Sequence, residues 1–323
     1  MNRTLIILFR TGIVVLLGAT LAACGGSNSN SDADTTNSNA DDLAQVMAAP
    51  ELDPADQVAL DGGQPDLVGQ ADGRLGGSAD TAVAEDNGDL IPAVFATETT
   101  LDLAYAQAGA ALVESLNESL ALPADISVSF ADCGTANAFF VPAELNPDEN
   151  GAAGGAIIMC HELTELFFDL FGNVDDAFQT SVFVLMHELG HALVDQLNLP
   201  VLGIEEAAVD GIGAVFSTKI GLAEGVVKAG WFFFSQGDSP FFDTHRVGSQ
   251  RLGDLACWGV GGDPSLLSDP TISNIKDMLV DSGRDCDFEY QQRLNAVNTL
   301  VGPNIKGGLV DVEVTTPQQF SNQ

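Results

Sequence analysis

The sequence predicts an α+β fold, mainly α, in which a small sheet accompanies a long helix bearing the pattern HExxH. Three observations carry that expectation: apolar residues recur at helical spacing over several long segments, short alternating runs lie between residues 126 and 159, and His187-Glu188-Leu189-Gly190-His191 sits inside the longest helical pattern. The 323 residues include 46 Asp and Glu against 11 Lys and Arg, a formal charge of -35. That balance excludes a nucleic-acid binder, because too few cations are present to neutralise a run of phosphates. A hydrophobic content of 46% supplies a sizeable core and excludes a wholly disordered chain.

The first element, residues 1–23, has Arg3 and Arg10, an apolar run over 13–17, and Leu21-Ala22-Ala23 ahead of Cys24. These are the charged, apolar and small-residue regions of a secretory signal, and the run is short of the ~20 residues that a membrane span needs. Leu21 to Cys24 resembles the bacterial lipobox, which makes Cys24 a lipidated N-terminus. Gly25, rather than Asp, follows it, and the resemblance to Gram-negative lipoproteins then favours the outer membrane. Residues 24–96, rich in Gly, Ser, Asn, Asp and Ala, read as a disordered acidic tether with a reach on the order of 45–50 Å. Between residues 25 and 96 there are 14 acids and Arg74 as the one cation, so most of the charge belongs to the part that folds.

A folded domain is expected over 97–305. A helix over 99–122 ends at Pro123, strand candidates follow at 126–130, 138–141 and 155–159, and helices at 162–171 and 175–197 come next. Asp175 and Asp176 complement the positive end of the latter helix. Further helices are expected over 204–234, 248–258 and 287–300, with 306–323 as a tail. The aromatic clusters at 231–234 and 241–242 read as core packing rather than as a specificity pocket.

HExxH places His187 and His191 one helical turn apart on one face, where both imidazoles can reach one metal ion while Glu188 faces its water as a general base. Composition alone would produce the pattern in about 0.002 of such chains. A catalytic zinc needs a third protein ligand. The residues at 194 and 197 are Val and Leu, which excludes the metzincin pattern. Glu205-Glu206-Ala207-Ala208-Val209-Asp210 instead resembles the ExxxD element of gluzincins such as thermolysin, which implies Glu206 as the third ligand and Asp210 as the carboxylate orienting a ligand histidine. Glu205 is the rival ligand. The similar run His161-Glu162-Leu163-Thr164-Glu165 lacks the final His, nothing nearby completes a site, and it reads as a decoy.

A longer ordered set extends the resemblance: Cys133-Gly134, Asn137-Ala138-Phe139-Phe140, Cys160-His161-Glu162-Leu163, the HExxH helix, the paired glutamates with Asp210, then Asp243, His245, Gln250-Arg251, Cys257-Trp258 and Gly262-Asp263-Pro264. Together these are similar to a bacterial family of metallopeptidases within the gluzincin-like zincins. The resemblance implies a zincin-like domain with Zn2+ at an active-site helix. It further implies His245, oriented by Asp243, as a donor to the oxyanion. The substrate backbone would add to an antiparallel edge strand, for which Asn137, Ala138 and Phe139 are the candidates and 155–159 the alternative. Arg251 could instead be structural, pairing with one of the acids. Setting Cys24 aside leaves four cysteines, and the resemblance and their neighbours favour Cys133 with Cys160 and Cys257 with Cys286.

The function so implied is a zinc metallopeptidase hydrolysing peptide bonds at the cell envelope, with Glu188 as general base. Its partners would be a peptide or protein substrate and the membrane, reached through the lipid on Cys24. A non-catalytic zinc-binding envelope lipoprotein, acting as an interaction or assembly module, is the alternative, and Glu188, which a structural site does not need, favours the enzyme.

Overall fold

Strand formation and helix packing are described by a computed structural model for residues 86–95, 97, 99–145, 153–237, 245–307 and 312–320. The signal segment, Cys24, the tether up to residue 85 and Asp243 lie outside the described residues. Strands β1 (Leu90–Val94), β2 (Ile126–Ala131), β3 (Ala138–Val141) and β4 (Ala156–Cys160) form a sheet in the order β1-β2-β4-β3. β1, β2 and β4 are parallel, with Leu90 opposite Ile126 and Ser127 opposite Ala156. β3 returns antiparallel, with Ala138 opposite Met159. β3 is therefore the antiparallel edge, and β4, the alternative considered from sequence, is internal.

The helices are α1 (Thr100–Ser119), α2 (His161–Phe171), α3 (Val174–Gln196), α4 (Glu205–Lys219), α5 (Ala223–Ser235), α6 (Gly248–Gly262), α7 (Ser273–Asp281), α8 (Cys286–Leu300) and the short α9 (Pro317–Phe320). α2 ends at Gly172, whose left-handed φ of 64° lets the chain reverse without steric cost. Asn173 then caps α3, its side-chain oxygen accepting from the Asp175 N–H at 2.8 Å. From Ala177 to Leu193 almost every residue of α3 is buried, as befits a helix apolar on all sides. Its neighbours in the core include Leu112, Ile157, Phe167, Phe216 and Trp258. Among the described residues no helix is long and apolar enough to cross a membrane.

Both disulfides implied by the resemblance are present. Cys133–Cys160 ties the segment after β2 to the end of β4, and Cys257–Cys286 ties α6 to the start of α8. On chain entropy each stabilises the fold by about 3–4 kcal/mol.

The fold extends past both ends of the expected 97–305 domain. β1 lies within the stretch expected to be tether, with Leu90 buried and five residues in register with β2. Pro92 is compatible with this because an edge strand leaves one side of its backbone unpaired. At the other end Val312 is buried, the Glu313 N–H donates to Ser115 Oγ at 2.7 Å, and α9 packs on α1, so residues 312–320 are part of the domain rather than a tail.

Candidate metal centre

Residues 187–191 lie in the buried middle of α3, and α4 crosses close beside them. Two glycines permit that approach. A Cβ at Gly190 would stand 3.0 Å from the Val209 Cβ, and one at Gly213 would stand 3.1 Å from the His187 backbone nitrogen. With α4 this near, its first two turns deliver three carboxylates to the two imidazoles of α3.

Glu206 is the inner one. Its Oε2 lies 3.2 Å from His187 Nε2, 3.4 Å from His191 Nε2 and 3.1 Å from His245 Nε2. That oxygen is buried and accepts no well-aligned hydrogen bond. A buried carboxylate oxygen ringed by three imidazole nitrogens, and unsatisfied by any of them, is a set of donors that fits a cation. Burial alone would push the Glu206 carboxyl up, but the three imidazoles outweigh it and hold it far below the usual carboxylate range.

The outer carboxylates fix the rings. His187 Nδ1 donates to Asp210 Oδ1 at 2.9 Å, which leaves Nε2 to face Glu206. Asp210 in turn accepts from Arg251 at both oxygens, from Nε at 2.8 Å and from Nη2 at 2.7 Å. Burial would raise Asp210, yet Arg251 and His187 overcome it and hold the carboxyl at about 2. The Arg251 guanidinium also lies over the Phe233 ring, 3.4 Å from its centroid. Glu205 has a different position from its neighbour: its side chain is 53% exposed against 18% for Glu206, and its Oε1 accepts from His191 Nδ1 at 2.8 Å. Burial would lower His191, but Glu206, Glu188 and Glu205 together lift it to about 9.

A cavity of about 260 Å³ opens on this centre. His187, Glu188, His245 and Arg251 form its polar side, and Leu163, Leu166, Val184, Phe232 and Phe233 form an apolar wall. Asn137, which precedes β3, lines it as well, whereas Ala138 is buried in the strand and Phe139 pairs opposite Ile158. The expectation that 231–234 serve as core is half corrected. Phe232 is buried edge-on to Phe167, with centroids 4.8 Å apart, and it lines the cavity together with Phe233. His161, Glu162 and Glu165 take no part in this centre. Sequence reasoning missed Glu205 as the partner of His191, and it foresaw an acid for Arg251 without naming Asp210; a buried arginine can be matched to its acid only once the helices are packed.

No curated protein and no solved structure matches the chain. Over residues 97–301 it matches the family model DUF4344, described as Putative metallopeptidase. A metallopeptidase uses a metal ion, and the donor set around Glu206 lies inside the matched segment. That segment spans more than half of the 323 residues, and the protein belongs to this metallopeptidase family.

Proposed function

We propose that the protein is a zinc peptidase of gluzincin type, with His187, His191 and Glu206 holding the ion and Glu188 as general base. The observation that carries the reading is the unsatisfied Glu206 Oε2 among three imidazoles, with Glu188 on the wall of the same cavity. Zinc, when bound, supplies Lewis-acid polarisation of a carbonyl and a water acidic enough to lose its proton near neutral pH. Glu188 takes the proton of the attacking water on a carboxylate oxygen and passes it to the nitrogen of the leaving amine. Asp210 and Glu205 keep the Nε2 atoms of His187 and His191 turned inward, and Arg251 keeps Asp210 in place. His245, beside the ion's position, is the donor available to the charge developing on the carbonyl oxygen, with Asp243 proposed to orient it.

The antiparallel edge β3 and Asn137 before it would align an extended substrate by adding its backbone to the sheet. The apolar wall favours peptides with a large aliphatic or aromatic side chain next to the cleaved bond. Export through the signal segment and lipidation at Cys24 would place this activity at the cell envelope, on the outer membrane, with envelope peptides or proteins as substrates.

The test compares wild type with Glu188→Gln for zinc content and for cleavage of a diverse peptide library. Equal zinc, with cleavage by wild type and a loss of about 10²–10⁴-fold in the variant, is expected. Equal zinc with no cleavage by either protein would sink the peptidase and leave a metal-binding envelope module.

A further inference from the structure

We propose that His245 is a fourth protein ligand of the metal in the resting protein, so that the centre stays closed until His245 leaves it. This rests on the reading of the site as a peptidase centre. Tetrahedral zinc with bonds of about 2.0–2.1 Å sets its ligand atoms about 3.3–3.4 Å apart. Glu206 Oε2 stands 3.2, 3.4 and 3.1 Å from the Nε2 atoms of His187, His191 and His245, so toward Glu206 His245 stands as a ligand would, as close as the two histidines of α3. The ligand atoms of His187, Glu206 and His245 all lie within 4.8 Å of one another, a set that includes His245 and leaves His191 outside it, so His191 must draw closer when an ion is held by all four. A histidine acting solely on a substrate oxygen would be held off by that oxygen, a further hydrogen-bond length of about 2.7–3.1 Å away.

The four side chains differ in what holds them. His187 and His191 are inside α3 and Glu206 is in the first turn of α4, whereas His245 lies in irregular chain ahead of α6. Its side chain is 39% exposed, against 6% for His187, 16% for His191 and 18% for Glu206. Four protein ligands make a closed site, and catalysis needs one position open. His245, which has no helix around it, is the ligand that can yield that position, and a substrate able to displace it would open the site by binding.

Zinc-loaded wild type, His245→Ala and His187→Ala would be compared by X-ray absorption, which counts imidazoles, and by competition titration for metal affinity. Wild type should show three imidazoles. His245→Ala should show two and bind zinc more weakly by more than the ~10–100-fold typical of losing an outer partner. Acetohydroxamate, a bidentate oxygen probe, should lower the wild-type count from three to two. Two imidazoles in wild type, or unchanged count and affinity in His245→Ala, would overturn the assignment of His245 and leave the peptidase reading intact. A count of three that acetohydroxamate does not lower would overturn the opening step. Zinc binding that survives His187→Ala undiminished would overturn the metal centre itself.

Discussion

Two segments of this protein begin with the same three residues, His-Glu-Leu, and the fold uses them in opposite ways. In His187-Glu188-Leu189 the histidine has a carboxylate of α4 at each ring nitrogen, Asp210 bonded to Nδ1 and Glu206 facing Nε2, and the glutamate lines a cavity. In His161-Glu162-Leu163 the glutamate folds back, accepting from the Cys133 N–H at 3.0 Å and from the Gly134 N–H. His161 there is buried with no hydrogen-bond partner at Nε2, and it lines a small pocket together with Thr164 and Ser181. Sulfur and carboxylate do meet at Cys133, Cys160 and Glu162, but the two sulfurs are bonded to each other and have no thiolate to offer a metal. A histidine-glutamate pair on a helix is thus only half of a site; the other half is a second helix that brings acids to the far nitrogens.

The largest way to break this contrast is to remove what holds that second half. Arg251→Met leaves the buried Asp210 with His187 as its remaining partner and without its guanidinium, and should cost about 3 kcal/mol of stability as read by denaturant unfolding. Because Asp210 orients His187, zinc affinity in a competition assay should also fall about 10–100-fold. His161→Ala, measured beside it, should leave zinc stoichiometry and affinity unchanged. Loss of zinc in the His161 variant, or none in the Arg251 variant, would erase the distinction between the two segments.

A smaller perturbation acts on the approach of the helices. Gly213→Ala would place a methyl group 3.1 Å from the His187 backbone nitrogen, tighter than ordinary packing, and α4 must give way. Overpacking of this kind costs about 1–3 kcal/mol, and the carboxylates that ride on α4 move with it. Lowered thermal stability together with weakened zinc binding is expected, and unchanged zinc affinity would show that the site tolerates a looser pairing of α3 and α4.

How far the sequence revealed these features follows from the range of the interactions. α3, its acidic start and the shared face of His187 and His191 are local, set by spacing along one helix, and were legible. The choice between Glu205 and Glu206 was not settled, because adjacent residues of a helix differ by about 100° in direction and only the position of α3 decides which points inward. The apolar wall was legible only as core for a related reason: Phe232 and Phe233 are neighbours in a helix and do pack in the core, but Leu163, Leu166 and Val184 join them from two other helices to line the cavity. β1 escaped notice because a short parallel edge strand takes its identity from β2, more than thirty residues away, and contains a proline. Residues 312–320 likewise have no strong pattern of their own and are held by α1.

The smallest effect sharpens the structural half of the comparison. Glu162 is partly exposed, and although burial pushes its carboxyl up, the backbone N–H groups of Glu162, Cys133 and Gly134 and the nearby His161 outweigh that and lower it. A carboxyl lowered by folding contributes stability above its unfolded value of about 4.3, and that contribution disappears as pH falls through the lower folded value. Glu162→Gln should therefore cost about 1 kcal/mol near neutral pH, and the two proteins should converge in stability in acid. Zinc content should not change. Since the loop that Glu162 holds leads into Ala136 and Asn137 on the cavity wall, the variant should raise KM for peptides more than it lowers kcat. A fall in kcat alone, with KM untouched, would mean that this second His-Glu pair reaches the reacting atoms after all.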